Sequence, residues 1–170
     1  PFYAGWNIDT SSIKNTTTIH HPSGDAKKIT KDFDSPVTAN YGDSYDDYTH
    51  WLIKGWEVGT TEGGSSGAPL FDQNKRIIGD LTGGEASCDY NFNDYFAKIS
   101  HSWNDFGDSE HQLENWLDPN NTRFRAINGY YPYQNRPSNL RAFYDSTNVS
   151  LAWNPIVQQA TVEHYELFRN

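Results

Sequence analysis

The chain has 170 residues and a formal net charge of −9, and its composition excludes several classes of protein. The acidic residues are scattered along the sequence, which argues against nucleic acid or an anionic membrane surface as a partner. Hydrophobic residues make up 35% and aromatic residues 15% of the chain, as is typical of a folded, β-rich protein and not of a disordered one. No apolar run reaches the roughly 18 residues of a membrane-spanning helix.

Two features of the composition concern the extent of the chain. The sequence contains no Met, which predicts a processed or excised piece of a longer protein. Cys88 is the only cysteine, and two interpretations of it stay open. It is either a buried small hydrophobic residue or half of a disulfide whose partner lies outside this chain.

The first 105 residues contain short segments rich in β-branched and aromatic side chains, separated by Gly, Asn, Asp and Pro. They predict seven strands, at Phe2–Trp6, Thr16–His20, Lys27–Thr30, Trp51–Val58, Pro69–Asp72, Arg76–Thr82 and Tyr95–Trp103. Regular strand spacing without a long helical pattern predicts an all-β fold, either an antiparallel barrel or a sandwich.

One helix is predicted after these strands. Ser109 and Gln112 form the pattern of a capping box, and Leu113, Trp116 and Leu117 then follow at helical spacing. These apolar residues would lie on one face of the helix. We expect a short packing element that ends the β domain, and not a binding site.

The C-terminal part of the chain differs in pattern from the first 130 residues. Residues 131–136 read as a Pro-containing linker, and residues 137–170 contain alternating apolar residues, first at Val149, Leu151 and Trp153. With the opening Pro-x-Asn-Leu and a later Tyr-x-Leu strand, this segment resembles the first three strands of a fibronectin type III module. It has 34 of the roughly 100 residues of such a sandwich, so the resemblance implies a partial domain.

The stretch TTEGGSSGAPLFD at residues 60–72 has the composition of a flexible linker but the position of a turn between core strands. A linker is improbable inside a run of strands. Glycines in a tight turn let backbone N–H groups converge on one point, and a serine hydroxyl beside such a point has the setting of a nucleophile with an oxyanion hole. Ser66 is the candidate nucleophile, with Gly64 and Ser66 as the amide donors.

This stretch resembles the nucleophile loop of chymotrypsin-like serine peptidases, most closely those of the bacterial lysyl endopeptidase branch. Further motifs follow in family order, namely FYAGWN at 2–7, IHHPSGDAKKIT at 19–30, RIIGDLTGGEASC at 76–88 and NDYFAKISHSW at 93–103. The resemblance covers residues 1–130. It implies the second antiparallel β-barrel of a trypsin-like double barrel, with the catalytic His and Asp on a first barrel that this chain lacks.

The resemblance also assigns roles to residues of this sequence. Ser66 matches the nucleophile, and Gly64 and Ser66 match the oxyanion-hole donors. Ser65 lies where trypsin relatives have an Asp that pairs with a new N-terminus, so activation must be controlled differently here. The substrate backbone is expected to pair with the strand edge at Leu81, Thr82 and Gly83, although the lysyl endopeptidase group has a His in place of Thr82.

Asp94 matches the acid at the base of the specificity pocket, where a partly buried carboxylate would favour a Lys or Arg side chain. Two alternatives stay open: Asp94 caps a turn after Asn93, or Asp89 is the pocket acid. Cys88 matches a cysteine that in this branch pairs with the mature N-terminal segment.

His20 and His21 invite interpretation as a general base or as metal ligands. The family places its base upstream, however, and no Cys/His spacing resembles a zinc site. We therefore expect neither a metal nor another cofactor.

The sequence thus predicts a serine endopeptidase that prefers Lys or Arg before the cleaved bond, with a polypeptide as substrate. This chain, which needs the missing first barrel as its partner, is expected to be inactive alone. A secreted or cell-surface location is expected from the peptidase resemblance, the predicted disulfide and the fibronectin-like segment. The alternative is a non-catalytic extracellular binding or adhesion module on a peptidase-like fold.

Overall fold

The computed structural model of the chain describes residues 2–131 and 138–154. The strands are β1 (Gly5–Asn7), β2 (Thr16–His20), β3 (Lys28–Asp32), β4 (Val37–Ala39), β5 (His50–Gly55), β6 (Pro69–Asp72), β7 (Arg76–Gly84), β8 (Phe92–Lys98), β9 (Ala126–Ile127), β10 (Ser138–Tyr144) and β11 (Val149–Asn154). The helices are α1 (Ile99–Asn104) and α2 (Glu114–Leu117), with 3₁₀ turns at Pro22–Gly24 and Ser109–His111. The all-β prediction is confirmed.

Nine of the strands form one sheet, with the order β3-β2-β6-β7-β8-β5-β4, with β1 beside β7 and with β9 beside β1. Neighbours along this path pair antiparallel, whereas β1 pairs parallel with β7. Backbone hydrogen bonds join Lys31 of β3 to Glu57 and Val58, just after β5. The sheet therefore curls back on itself.

The concave side of the curled sheet holds a core that is rich in aromatic residues. Its buried members are Ile13, Trp51, Ile53, Trp56, Ala68, Leu70, Ile78, Leu81 and Phe96. Ala68 and Leu81 belong to this cluster and also flank the serine-containing turn. The turn is therefore fixed to the best-buried part of the protein, because its flanking residues are in the core.

Two of the predicted strands have the predicted bounds and others differ at their ends. Pro69–Asp72 and Thr16–His20 are as predicted, but the strand predicted to reach Trp103 ends at Lys98 and continues as α1. Ile99 and Trp103, four residues apart, are both buried in a second cluster with Trp6. The apolar residues there have helical and not strand spacing, which is why this prediction was wrong.

The predicted capped helix is also wrong in detail. Asp108 and not Ser109 occupies the N-cap position, without a capping side-chain hydrogen bond, and residues 109–111 form a 3₁₀ turn. The Gln112 side chain donates instead to the carbonyl of Phe106. The helix is only Glu114–Leu117. Of the three residues of the expected packing face, Leu113 packs against the second core cluster, whereas Trp116 and Leu117 are exposed, Trp116 at 69%.

The described residues separate into two compact units, one of them Ala4–Gly129. The other contains Phe2, Tyr3, Tyr130 and Tyr131 and the antiparallel hairpin of β10 and β11. The expected strand at 149–153 is therefore present. Most of the predicted linker, Pro137 and the third strand expected near residues 162–167 lie outside the described residues, so the fibronectin type III prediction stays a prediction. Within the described ranges, neither helix could span a bilayer.

Candidate active site

The serine turn, defined here as residues 62–68, consists of two consecutive tight turns. The amide of Ser65 donates to the Glu62 carbonyl at 3.0 Å, and the amide of Ala68 donates to the Ser65 carbonyl at 3.0 Å. Gly64 and Gly67 are the third residues of the two turns, with φ of 91° and 78°. Glycine adopts this left-handed backbone without the steric cost that a side chain adds, so both turns require their glycine.

The serine turn is fixed to β7 by a pair of backbone hydrogen bonds. The Gly67 amide donates to the Leu81 carbonyl at 2.7 Å, and the Leu81 amide donates to the Ala68 carbonyl at 2.9 Å. Leu81 is buried in the core. The stretch is therefore a fixed bend and not a slack linker, and the sequence prediction on this point agrees with the structure.

Ser66 lies at the tip of the second turn and is exposed. Among the described residues, no backbone hydrogen bond takes the amide of Gly64 or of Ser66, so both donors are free for a ligand. None of the described histidines hydrogen-bonds the Ser66 hydroxyl. The described part of this chain thus contains the hydroxyl and the free amides, but no base in contact with them.

Ser65, in contrast, is 2% exposed and points into the protein. Its Oγ lies 2.8 Å from Nδ1 of His20, whose Nε2 lies 2.9 Å from Oγ1 of Thr30. Burial lowers the pKa of His20, while the nearby Asp94 acts in the opposite direction. Sequence reasoning missed this contact, because nothing in the spacing of His20 and Ser65 shows that β2 passes beneath the turn.

The other histidine of the pair, His21, is exposed and its Nδ1 lies 3.1 Å from the Asp25 carbonyl oxygen. It therefore contacts its own loop and not the serine turn. Neither histidine contacts a second His, Cys or carboxylate in the manner of a metal site. Among the described residues, the acidic group that could hold a cation is elsewhere, at Asp32, Asp34 and Glu57.

The expected substrate-binding edge lies directly beside the serine turn. The pairing of β6 with β7 ends at Pro69 opposite Asp80, so within the described chain no strand covers β7 on this side beyond Leu81. The register with β8 shifts between Leu81 and Gly83, which is a bulge at Thr82. An extended peptide can pair with an uncovered strand edge of this kind.

Gly83 has a neighbour that the sequence did not predict. A Cβ at this position would lie 2.6 Å from the hydroxyl oxygen of Tyr41. Tyr41 also packs against His50 and Tyr95, and Nε2 of His50 lies 3.1 Å from Oγ1 of Thr82. The glycine is therefore needed for the close approach of an aromatic cluster to the strand edge.

Asp94 is more deeply buried than the sequence suggested, with 2% of its surface exposed. One carboxylate oxygen, Oδ2, accepts hydrogen bonds from Trp56 Nε1 at 2.7 Å and from the Thr61 hydroxyl. Burial raises the pKa of Asp94, and these two donors oppose that shift. Asp94 lies within β8, opposite Ile53 and Gly84, so the alternative that it caps a turn is wrong.

The second oxygen of Asp94, Oδ1, faces Gly84. A Cβ on Gly84 would lie 2.3 Å from it, so only glycine fits there, and Gly84 itself is exposed. Asp89, the alternative pocket acid, is exposed in the turn bridged by Ser87 and Tyr90. It lacks the burial that makes a carboxylate selective for a cation.

Cys88 is exposed, so the interpretation as a buried small hydrophobic residue is wrong. Its backbone amide donates to Glu62 at 3.1 Å. Glu62 raises the pKa of the Cys88 thiol, which disfavours a reactive thiolate. The accessible sulfur is compatible with a disulfide to another segment, and that pairing stays a prediction.

Comparison with known proteins agrees with this architecture. A family model described as the lysyl endopeptidase C-terminal domain matches residues 1–97. The chain belongs to the lysyl endopeptidase C-terminal domain family. The lysyl endopeptidase of Pseudomonas aeruginosa is 37% identical over an alignment of 109 residues, which covers 58% of this chain and 22% of that protein.

This member of the lysyl endopeptidase C-terminal domain family thus spans about a fifth of that curated relative. Among solved structures, the chain is similar to Rv3671c from M. tuberculosis H37Rv in an inactive form. The sequence identity is 15% and the TM-score 0.41, with 70% of this chain and 54% of that one covered.

Proposed function

We propose that the complete protein containing this chain is a serine endopeptidase in which Ser66 is the nucleophile. The observation that carries the proposal is the double turn, which presents the exposed Ser66 beside two amides that have no backbone partner among the described residues. The two amides and the Ser66 hydroxyl lie together on an exposed, rigid bend, which is the arrangement that an oxyanion hole beside a nucleophile requires.

The reaction follows from these groups. A histidine from a preceding barrel, oriented by an aspartate, takes the proton as Ser66 Oγ bonds to the peptide carbonyl carbon. The amides of Gly64 and Ser66 donate to the resulting oxyanion, and each such donor stabilises the transition state by ~3 kcal/mol in a well-studied peptidase. The C–N bond then breaks, the amine leaves with that proton, and water hydrolyses the acyl-enzyme.

The substrate backbone is proposed to pair with the segment Leu81, Thr82 and Gly83 of β7. The strand edge is uncovered in the described structure at Thr82 and Gly83, whereas the amide and carbonyl of Leu81 already bond to Ala68 and Gly67. Asp94 is proposed to select a Lys or Arg side chain before the cleaved bond. Its Oδ2 already has two side-chain donors, and the backbone amide of Ala86 also donates to this carboxylate. The cation is proposed to approach from the side of Gly84, which Oδ1 faces. A cationic group there would pair the buried carboxylate and offset its desolvation.

A secreted or cell-surface location is part of the same proposal, together with a disulfide from Cys88 to a segment outside this chain. Residues 137–170 are proposed to begin a fibronectin type III module. The antiparallel hairpin of β10 and β11 is compatible with the first two strands of such a sandwich.

The alternative function is a non-catalytic binding or adhesion module. It is favoured only by the hairpin-containing C-terminal segment, whereas the free amides and the exposed Ser66 have no role in it. An upstream barrel without a suitable His and Asp would support this alternative. An upstream His in a short strand-turn context would support the peptidase.

The decisive experiment treats the complete protein with a fluorophosphonate, a serine-directed covalent probe. We expect labelling of Ser66 and hydrolysis of a Lys-containing peptide, and loss of both in Ser66→Ala. Ser12→Ala is the matched control, because Ser12 is also an exposed serine and lies outside the turn. Hydrolysis that persists in Ser66→Ala would overturn the assignment.

A further inference from the structure

His20 has a buried position that the proposed reaction does not use. Its side chain, 2% exposed on β2, lies between the serine turn and β3. It contacts Ser65, the buried neighbour of the proposed nucleophile, and not Ser66. When both nitrogens of a buried neutral imidazole contact hydroxyl groups, one nitrogen donates a hydrogen bond and the other accepts one.

The hydrogen bonds around His20 determine which of its two ring nitrogens donates and which accepts. Thr30 donates its hydroxyl proton to the Thr60 carbonyl at 3.2 Å, so its oxygen accepts from Nε2–H of His20. At the other nitrogen, the Ser65 oxygen accepts from the Glu62 amide at 3.4 Å, so its own proton is free to go to Nδ1 of His20. One neutral tautomer, with the proton on Nε2, satisfies the whole chain.

The electrostatic surroundings favour the neutral form. Burial is the main cause that lowers the pKa of His20, and the nearby His21 lowers it further. Asp94 acts in the opposite direction but is itself bonded to Trp56 and Thr61. The imidazole is therefore an acceptor toward Ser65 at neutral pH.

Ser65 is the residue through which the two turns are joined. It ends the first turn with its amide, bonded to Glu62, and begins the second with its carbonyl, bonded to Ala68. The amide of Ser66 belongs to the peptide group that follows Ser65. The amide of Gly64 belongs to the peptide group next to the one that contains the Ser65 amide. Anchoring the Ser65 side chain from below therefore fixes the direction of both amides.

We propose that His20 is a positioning residue that acts through Ser65 to hold the Gly64 and Ser66 amides in the orientation that binds an oxyanion. The inference deepens the proposed peptidase function and rests on it. Because His20, Ser65 and Thr30 all belong to this domain, the turn needs no charged group from another segment to hold it.

Two substitutions of His20 separate its hydrogen bond to Ser65 from its hydrogen bond to Thr30. Asn places an amide oxygen where Nδ1 accepts from Ser65 but does not reach Thr30, whereas Gln reaches Thr30 and loses the acceptor for Ser65. In the complete protein we expect His20→Asn to keep kcat within about threefold of the unaltered protein. We expect His20→Gln to lower kcat at least tenfold, with little change in KM.

A merely space-filling role predicts the reverse order, because Gln replaces more of the buried volume than Asn. Ser65→Ala should reproduce the loss in His20→Gln, and the double variant should lose no more than either one alone. Equal kcat in His20→Asn and His20→Gln, or full kcat in Ser65→Ala, would overturn the inference.

A second measurement does not depend on activity. In a Ser66→Ala background, His20→Gln should speed hydrogen exchange of amides in residues 62–68 at least tenfold, and His20→Asn should not. If the unaltered protein hydrolyses no peptide, the proposed function fails, and the exchange rates alone decide whether His20 anchors the turn. Equal exchange in both variants would refute the anchor even in an active peptidase.

Discussion

The serine turn and the segment 109–117 both carry a strong local sequence signal, and only one of them folds as its signal predicts. The serine turn is bonded to Leu81 by two backbone hydrogen bonds and to His20 by a buried side-chain contact. The 109–117 segment has a capping pattern and an apolar stripe, yet it forms a 3₁₀ turn and a four-residue helix. Tertiary contacts decide between the two outcomes, because short isolated helices are unstable in water.

The largest expected effect tests the core beneath the serine turn. Phe96 on β8 is fully buried and packs edge-on against Trp56, in the cluster that contains Ala68 and Leu81. We expect Phe96→Ala to lower the free energy of unfolding by about 3–5 kcal/mol, measured by chemical denaturation. A loss below 1 kcal/mol would contradict the assignment of Phe96 to the well-packed core of this domain.

The next largest effect concerns Asp94 and the proposed preference for a Lys or Arg side chain before the cleaved bond. Asp94→Asn retains acceptor oxygen for Trp56 and Thr61 but removes the charge. Hydrogen bonds to charged groups contribute about 1.5–3 kcal/mol, so we expect kcat/KM for a Lys peptide to fall roughly 10- to 100-fold. Cleavage after an uncharged residue is the control and should change little. An unaltered preference for Lys or Arg would contradict the assignment of Asp94.

A third effect is pH dependence at the point where the sheet curls. Burial is the main cause that raises the pKa of Asp32 to about 6, and repulsion from Glu57 and Asp34 adds to it. The folded state therefore binds a proton that the unfolded state has already released above about pH 4. The stabilisation is complete below about pH 4 and is lost as pH rises toward 6.

The size of this effect is on the order of 2 kcal/mol. The measurement is urea denaturation at pH 4.5 and pH 7, compared with Asp32→Asn, which keeps the shape but cannot ionise. Comparing the variant with the unaltered protein cancels the shifts of Asp94 and Asp80, whose pKa values burial also raises. An identical pH profile for the two proteins would show that Asp32 does not titrate in this window.

The outcome of sequence analysis differs between these regions for physical reasons. The positions of most strands and the bend of the serine turn were predictable, because alternation, glycine spacing and family motifs are local and specific, whereas Asp94 is buried more deeply than expected. The contact of His20 with Ser65 and the approach of Tyr41 to Gly83 were not, since they join residues about 40 positions apart. The helix at 109–117 was overpredicted because a capping pattern does not report whether Trp116 finds a partner.

The smallest expected change in the free energy of unfolding is for Trp116, an aromatic residue like Phe96 but on the surface. Trp116 is 69% exposed, and its indole nitrogen donates to the Glu110 carbonyl at 3.2 Å within the same segment. Trp116→Ala should change the free energy of unfolding by less than about 0.5 kcal/mol, as for other exposed positions. The same denaturation experiment used for Phe96→Ala measures it. A loss near that of Phe96→Ala would contradict the solvent exposure of Trp116 and, with it, the contrast between the two regions.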